Sequence, residues 1–128
     1  MTATTLATIR TSLAAAVQAA GYKTHAQPLA TVIPPAVIIV PDEPYLEANT
    51  LASGGLLWQL NLTLIVVVAY LDPIGSLRQL EDIVVKVAQR LPKGTTFDTV
   101  GQPSIDDVGP SSLLTARMDI SVRANLTA

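Results

Sequence analysis

Few residues in this chain could carry catalysis. His25 is the single histidine, set in the run Lys23, Thr24, His25, Ala26, Gln27. As a general base it needs an orienting carboxylate and a nucleophile within hydrogen-bond reach, and its sequence neighbours supply neither. Asp98 or Asp106 would have to be brought to it by the fold. Adjacent acids occur at Glu81–Asp82 and Asp106–Asp107, but consecutive side chains on a strand point to opposite faces, which defeats chelation. There is no cysteine, which excludes disulfides, thiolate catalysis and Cys-ligated zinc. Gly54–Gly55 precedes a strand rather than a helix, and Gly101 and Gly109 lie among turn residues, so no phosphate cradle is formed. The expectation is a protein that is not an enzyme and holds no metal or cofactor.

The residues suited to a partner are more numerous. Asp42, Glu43 and Glu47, with Tyr45 and Leu46 among them, form the one local concentration of charge. They read either as a solvated patch or as a polar contact to another chain. Trp58, the only tryptophan, reads as core or interface. Composition makes the same point. Of 128 residues, 49% are hydrophobic and 14% charged, against a usual charged share of about 25%. So apolar a chain is not disordered, and it has too few charges to cover its own surface, so part of that surface is expected to meet a partner. The net charge is −2 and the basic residues are scattered, so no Lys/Arg stripe exists to displace counterions from phosphates. The N-terminus lacks the basic start of a secretion signal. The longest apolar run, Leu64 to Leu71, has eight residues, where a membrane-spanning helix needs about 20.

The elements that would position these residues follow from periodicity, and the length predicts a single domain over 1–128. Leu6, Ile9, Leu13, Val17 and Ala20 recur at helical steps and predict a helix over 4–20, capped by Thr4 or Thr5 and stopped at Gly21. Pro28, Pro34 and Pro35 reduce 22–35 to an edge strand or loop. Residues 36–40 form a short strand, and 41–55, with two prolines and a Gly pair, read as a long loop. Residues 56–71 form an overlong strand. Trp58, Leu60, Leu62, Leu64, Val66 and Val68 face one way; Gln59, Asn61, Thr63, Ile65 and Val67 face the other, wet at first and buried later. Residues 72–91 form a second helix with Leu77, Leu80, Val84, Val87 and Leu91 as its buried stripe, widened by Ile83 and Ala88, and Asp72 or Ser76 as its cap. Residues 95–100 form a strand, and a turn-rich stretch follows. The chain closes on a strictly alternating strand over 113–126, with Thr115, Arg117, Asp119, Ser121, Arg123 and Asn125 facing water or a partner. The fold class expected is α+β, a mostly antiparallel sheet of about four to five strands with two helices packed on one face.

This order of parts is familiar. The opening helix TLATIRTSLAAAVQAAGY, the strand AVIIVPD, the long strand WQLNLTLIVVVAYLD, the helix SLRQLEDIVVKVAQRL and the closing strand LLTARMDISVRANL together resemble the tail-terminator, or minor tail, proteins of the neck of long-tailed bacteriophages of actinobacterial hosts. Head-closure and connector proteins of the same neck share this size and character. The resemblance implies a structural virion protein. It would form a homo-hexameric ring that ends growth of the tail tube and offers a surface to the head–tail connector or stopper, with DNA passing through its lumen without sequence-specific contacts. Its expected place is the virion neck, after assembly in the host cytoplasm. The family carries no catalytic residues. The candidate partner contacts on this reading are Asp42, Glu43, Tyr45, Leu46, Glu47, Trp58, Gln59, Asn61, Arg117 and Arg123. The reading from another class is a small α+β enzyme or ligand-binding domain built around His25 with Asp98 or Asp106.

Overall fold

Two long strands of alternating apolar residues pair without a break and set the frame for everything else. The computed structural model describes residues 5–25, 33–52, 55–92, 95–108 and 111–126. In chain order the elements are α1 (Leu6–Ala19), β1 (Lys23–His25), β2 (Ala36–Ala52), β3 (Gly55–Ala69), α2 (Pro73–Arg90), β4 (Thr95–Val100), β5 (Ser104–Val108) and β6 (Ser111–Asn125). The fold is α+β. Its six-stranded sheet has the order β1-β2-β3-β6-β4, with β5 also on β6. Every described pairing is antiparallel except that of β1 with β2.

The register of β3 on β6 runs from Leu57↔Asn125 to Ala69↔Leu113 with no shift. Since β3 occupies one side of β6 along this length, β4 and β5 share the other side. β4 pairs with residues 118–122 and β5 with 111–115. They run end to end, separated by Gly101, Gln102 and Pro103, where the Gly101 amide donates to the Arg117 carbonyl at 2.8 Å. Together they form one interrupted edge strand. The sheet thus has one strand more than the upper expectation, because part of the turn-rich stretch after residue 100 is β5.

The larger departure concerns residues 41–55. The prolines and acids predict a loop, yet β2 continues to Ala52 and pairs with β3 through Leu46↔Leu60, Ala48↔Trp58 and Leu51↔Leu56. A register shift between Pro41 and Leu46 takes up the extra residues. Prolines cannot donate to a ladder, and a bulge is one of the places a strand tolerates them. The unpaired β3 residue opposite, Asn61, fills the gap with its side chain, whose Nδ2 donates to the Pro44 carbonyl at 2.8 Å.

Apolar burial divides by sheet face. One cluster joins Ile9, Leu13 and Val17 of α1 and Leu80, Ile83 and Val87 of α2 with Leu60, Leu62, Leu64, Val66 and Val68 of β3, and with Leu114, Ala116, Met118 and Ile120 of β6. A second cluster holds Ala36, Ile38, Ile65, Val67 and Leu113, the residues of opposite parity on the same strands. The later half of β3 is buried on both faces, as its sequence predicts. Two polar residues expected to face water or a partner, Thr115 and Ser121, are buried instead. On α2 one residue of the expected stripe, Leu77, departs from it. The stripe is centred on Leu80, Ile83 and Val87, with Ser76 buried beside them, while Leu77 is 40% exposed.

Both helices begin on capped ends. In α1 the Thr5 hydroxyl accepts from the Thr8 amide at 3.1 Å, and Gly21, at φ 98°, ends the turn that follows. In α2 the cap is Asp72, whose Oδ1 accepts from the Gly75 amide at 2.7 Å. Ser76 is not a rival cap: its hydroxyl accepts from the Leu71 amide at 3.0 Å and donates to the Ala69 carbonyl at 3.2 Å, tying the helix to the end of β3. A Cβ on Gly75 would stand 2.5 Å from Asp72 Oδ2. Gly75→Ala therefore trades a helix-propensity gain of about 1 kcal/mol against loss of a cap also near 1 kcal/mol. Its expected net effect is close to zero. In an Asp72→Ala background the same change should stabilise by about 1 kcal/mol. A urea double-mutant cycle checks this; strict additivity would contradict the cap geometry.

Candidate assembly surface

Several of the sequence-selected residues come together at one end of the sheet. The register aligns Glu47, Gln59 and Arg123 across three strands, with Ala48, Trp58 and Ala124 in the next row. Direct opposition puts the first three side chains on one face. Asn61 is their hub. Its Nδ2 also donates to Glu47 Oε2 at 3.0 Å, and its Oδ1 accepts from Gln59 Nε2 at 3.0 Å. Trp58 belongs to the opposite face, half-buried, with alanines as both cross-strand neighbours. Those small neighbours leave room for an indole.

Tyr45 and Leu46 are half-buried and pack against the chain's own main cluster. Tyr45 is further tied down by Arg10, whose Nη2 donates to its hydroxyl at 2.9 Å. Asp42 accepts the Glu43 amide at 2.8 Å, leaving Glu43 and Glu47 as the exposed acids of this strand. Arg117 stands apart. It pairs with Ile65, about 20 Å along β6 from Arg123 at the usual rise per residue, though both arginines are exposed.

The fold does not assemble the alternative catalytic pair. His25 lies on β1 at one edge of the sheet; Asp98 lies on β4 and Asp106 lies on β5 at the other. Four strand spacings, or about 19 Å, separate those edges. Asp106 is engaged locally, its Oδ2 accepting from Thr115 Oγ1 at 2.7 Å, as is its neighbour Asp107, whose Oδ1 accepts from Ser112 Oγ at 2.7 Å. Among the described residues no group of three His, Cys, Asp or Glu side chains could hold a metal ion, and no helix is long and apolar enough to cross a membrane.

Sequence reasoning missed one apolar stretch of the described surface. Phe97, Val100 and Ile105 pair with Ile120, Met118 and Leu114, so they share the helix-bearing face of the sheet, yet they are 41%, 39% and 52% exposed. Beside them α2 presents Leu77 and Val85. Between helix and edge strand lies an open trough of about 470 Å³, floored by Val100, Gly101, Pro103 and Ala116 and walled by Leu77, Val84 and Val85. A signal for it exists in the sequence. Ile74, Leu77 and Val85 extend the apolar arc of α2 well past its buried stripe, interrupted only by Glu81, and a single buried face does not need so wide an arc.

Comparison with protein-family models and with curated proteins finds no match to this chain.

Proposed function

We propose that the protein is a structural component of the neck of a long-tailed bacteriophage: a ring that caps the head-proximal end of the tail tube, ends its growth and joins it to the head connector. The observation that carries this reading is the trough between α2 and the β4–β5 edge, lined by exposed Leu77, Val85 and Val100, with exposed Phe97 and Ile105 on the same face of the edge strands. An apolar surface gathered in one place marks a contact site. A ring supplies that contact to every copy at once, since head-to-tail interfaces close when the rotation between neighbours divides a full turn. The order of elements, resembling that of tail terminators, supplies the neck. On this reading the chain works by shape and contact, with itself, the tube protein and the connector as partners, and it transforms no substrate.

Electron microscopy of the protein mixed with purified tail tubes tests the proposal. Extra density at one end only, with arrest of tube growth when the protein is added to polymerising tube protein, is the expected result. Decoration along the tube wall, or no binding, overturns it. Binding to a portal–adaptor complex and not to tubes places the protein one layer nearer the head, as a stopper or connector.

A further inference from the structure

We propose that the surface covering the trough is the opposite edge of a second copy: the β1–β2 side of one subunit seats against the β4–β5 side of the next, head to tail. This inference rests on the ring reading and names the faces that make the ring.

The first argument is backbone. β1 covers β2 only at residues 36–38, so the rest of the outer side of β2 carries no described strand. The outer side of β4–β5 carries none either. Among the described residues both sides of the sheet thus offer unpaired strand backbone, a template for pairing. Strand directions agree: β4 and β5 run antiparallel to β6, which is antiparallel to β3, which is antiparallel to β2. Side-by-side copies in the same orientation therefore bring β2 and the neighbour's β4 together antiparallel, the pairing that dominates the sheet itself.

The second argument is charge, level by level. The sheet registers define rows that cross the molecule. One row runs Lys23, Ala36, Val67, Thr115, Ser104, so it begins at a cation and ends where β5 carries Asp106 and Asp107. Another runs Leu46, Leu60, Val122, Thr95. It begins beside Glu43 and Glu47 and ends at the foot of β4, just after Arg90 closes α2. The first row thus sets a cation at one edge against acids at the other; the second carries Asp98 on β4 as well as Glu43 and Glu47 on β2, and Arg10 on Tyr45, and adds no such contrast. The chain composition sharpens the pattern: residues 1–41 contain no Asp or Glu, and residues 94–116 contain no Lys or Arg. Such an arrangement repels a copy turned by a half-rotation about an axis along the strands, which sets Lys23 level with Lys23 and Asp107 level with Asp107, whereas the head-to-tail neighbour sets Lys23 against Asp106 and Asp107. The trough lies inside that acidic edge, where a neighbour's edge excludes water from Val100 and Ile105.

Charge reversal tests this. Lys23→Glu alters one edge and Asp107→Lys the other. Each variant alone, folded by circular dichroism, should lose on the order of tenfold or more in self-association, measured by sedimentation with tail tubes as template and without. Mixed in equal amounts, the two should recover assembly, because every contact in an alternating ring again joins opposite signs. Wild-type assembly by either variant alone, or no recovery in the mixture, overturns the proposal. Asp107 also accepts from Ser112, so a second test avoids it. The chain has no cysteine, and Lys23→Cys with Ser104→Cys in one chain should give an oxidation ladder of dimers and higher species, while either single variant stops at a dimer or below. Absence of the ladder overturns the proposal. A ladder from a protein that ignores tail tubes keeps these faces and sinks the neck reading; tube capping without a ladder does the reverse.

Discussion

Replacing Leu80 with Ala is expected to lower the unfolding free energy by about 2–5 kcal/mol, the range for a buried leucine truncated to a methyl. Leu80 is 1% exposed and belongs to the cluster in which both helices meet β3 and β6. It also borders the trough, so part of the vacated space opens toward solvent instead of forming a sealed void. That places the loss in the lower part of the range, since the cost grows with the volume of residual cavity. Leu77, one turn away, keeps 40% of its surface exposed, so its truncation removes less burial and leaves no enclosed cavity. Leu77→Ala should cost under about 1 kcal/mol in the isolated subunit. The contrast is the useful quantity. Urea titrations of both variants at equal slope give it directly. Equal losses would mean that α2 turns Leu77 inward, as its leucine spacing first suggests. If Leu77 is spared in the free subunit but Leu77→Ala impairs assembly on tubes, the residue belongs to the contact between copies.

What the sequence disclosed and what it concealed follow the same physics. β3 and β6 were legible because alternation over many residues has one reading, and their register then follows from matching apolar faces. Both helices were legible in extent and in the centre of their buried stripes; the edge of the α2 stripe was not, because α2 has more apolar residues than one face can hold, and Ile74, Leu77 and Val85 lie beyond the buried set. β2 beyond Pro41 was illegible because local signals, two prolines and three acids, speak for a loop, while the decision was made by a partner strand long enough to template it. β5 was hidden for the same reason: Ser104–Val108 is held as half of a hairpin with β6 and has little preference of its own. Of the candidate contacts, Glu47, Gln59 and Arg123 share one row across three strands, and Asn61, two residues along β3, bonds to Glu47 and Gln59. Tyr45 and Leu46 prove to be packing residues, and Arg117 lies elsewhere. The trough was missed because Phe97, Val100 and Ile105 sit on two separate short strands, and only pairing with β6 puts them side by side.

Val67→Asp should be close to lethal for folding although it lies on the sheet face opposite the helix-bearing cluster. Val67 is fully buried with Ala36, Ile38, Ile65 and Leu113. Its cross-strand neighbours are Ala36 and Thr115, and the one hydroxyl among them, on Thr115, already donates to Asp106. A carboxylate placed there has no free donor directly opposite it, and the nearest cation by register, Arg117, lies diagonally across the strand pair with its side chain exposed. An uncompensated buried charge costs several kcal/mol, against a total stability of about 5–15 kcal/mol for a domain. Protonation relieves part of this. Burial raises the carboxyl pKa in the folded state above its unfolded value of about 3.9, so the folded form binds the extra proton and the deficit grows as pH rises through that interval. The variant should therefore be least unstable near pH 4 and unfold as the solution is brought to neutrality. Arg117→Asp provides the control, since Arg117 is on the same face of the sheet but exposed, and the change should stay within about 0.5 kcal/mol. Thermal melts at pH 4 and pH 7 decide the matter. A Val67→Asp protein as stable as its parent at pH 7 would mean that this face of β3 is wet, and that the buried second cluster does not exist in solution.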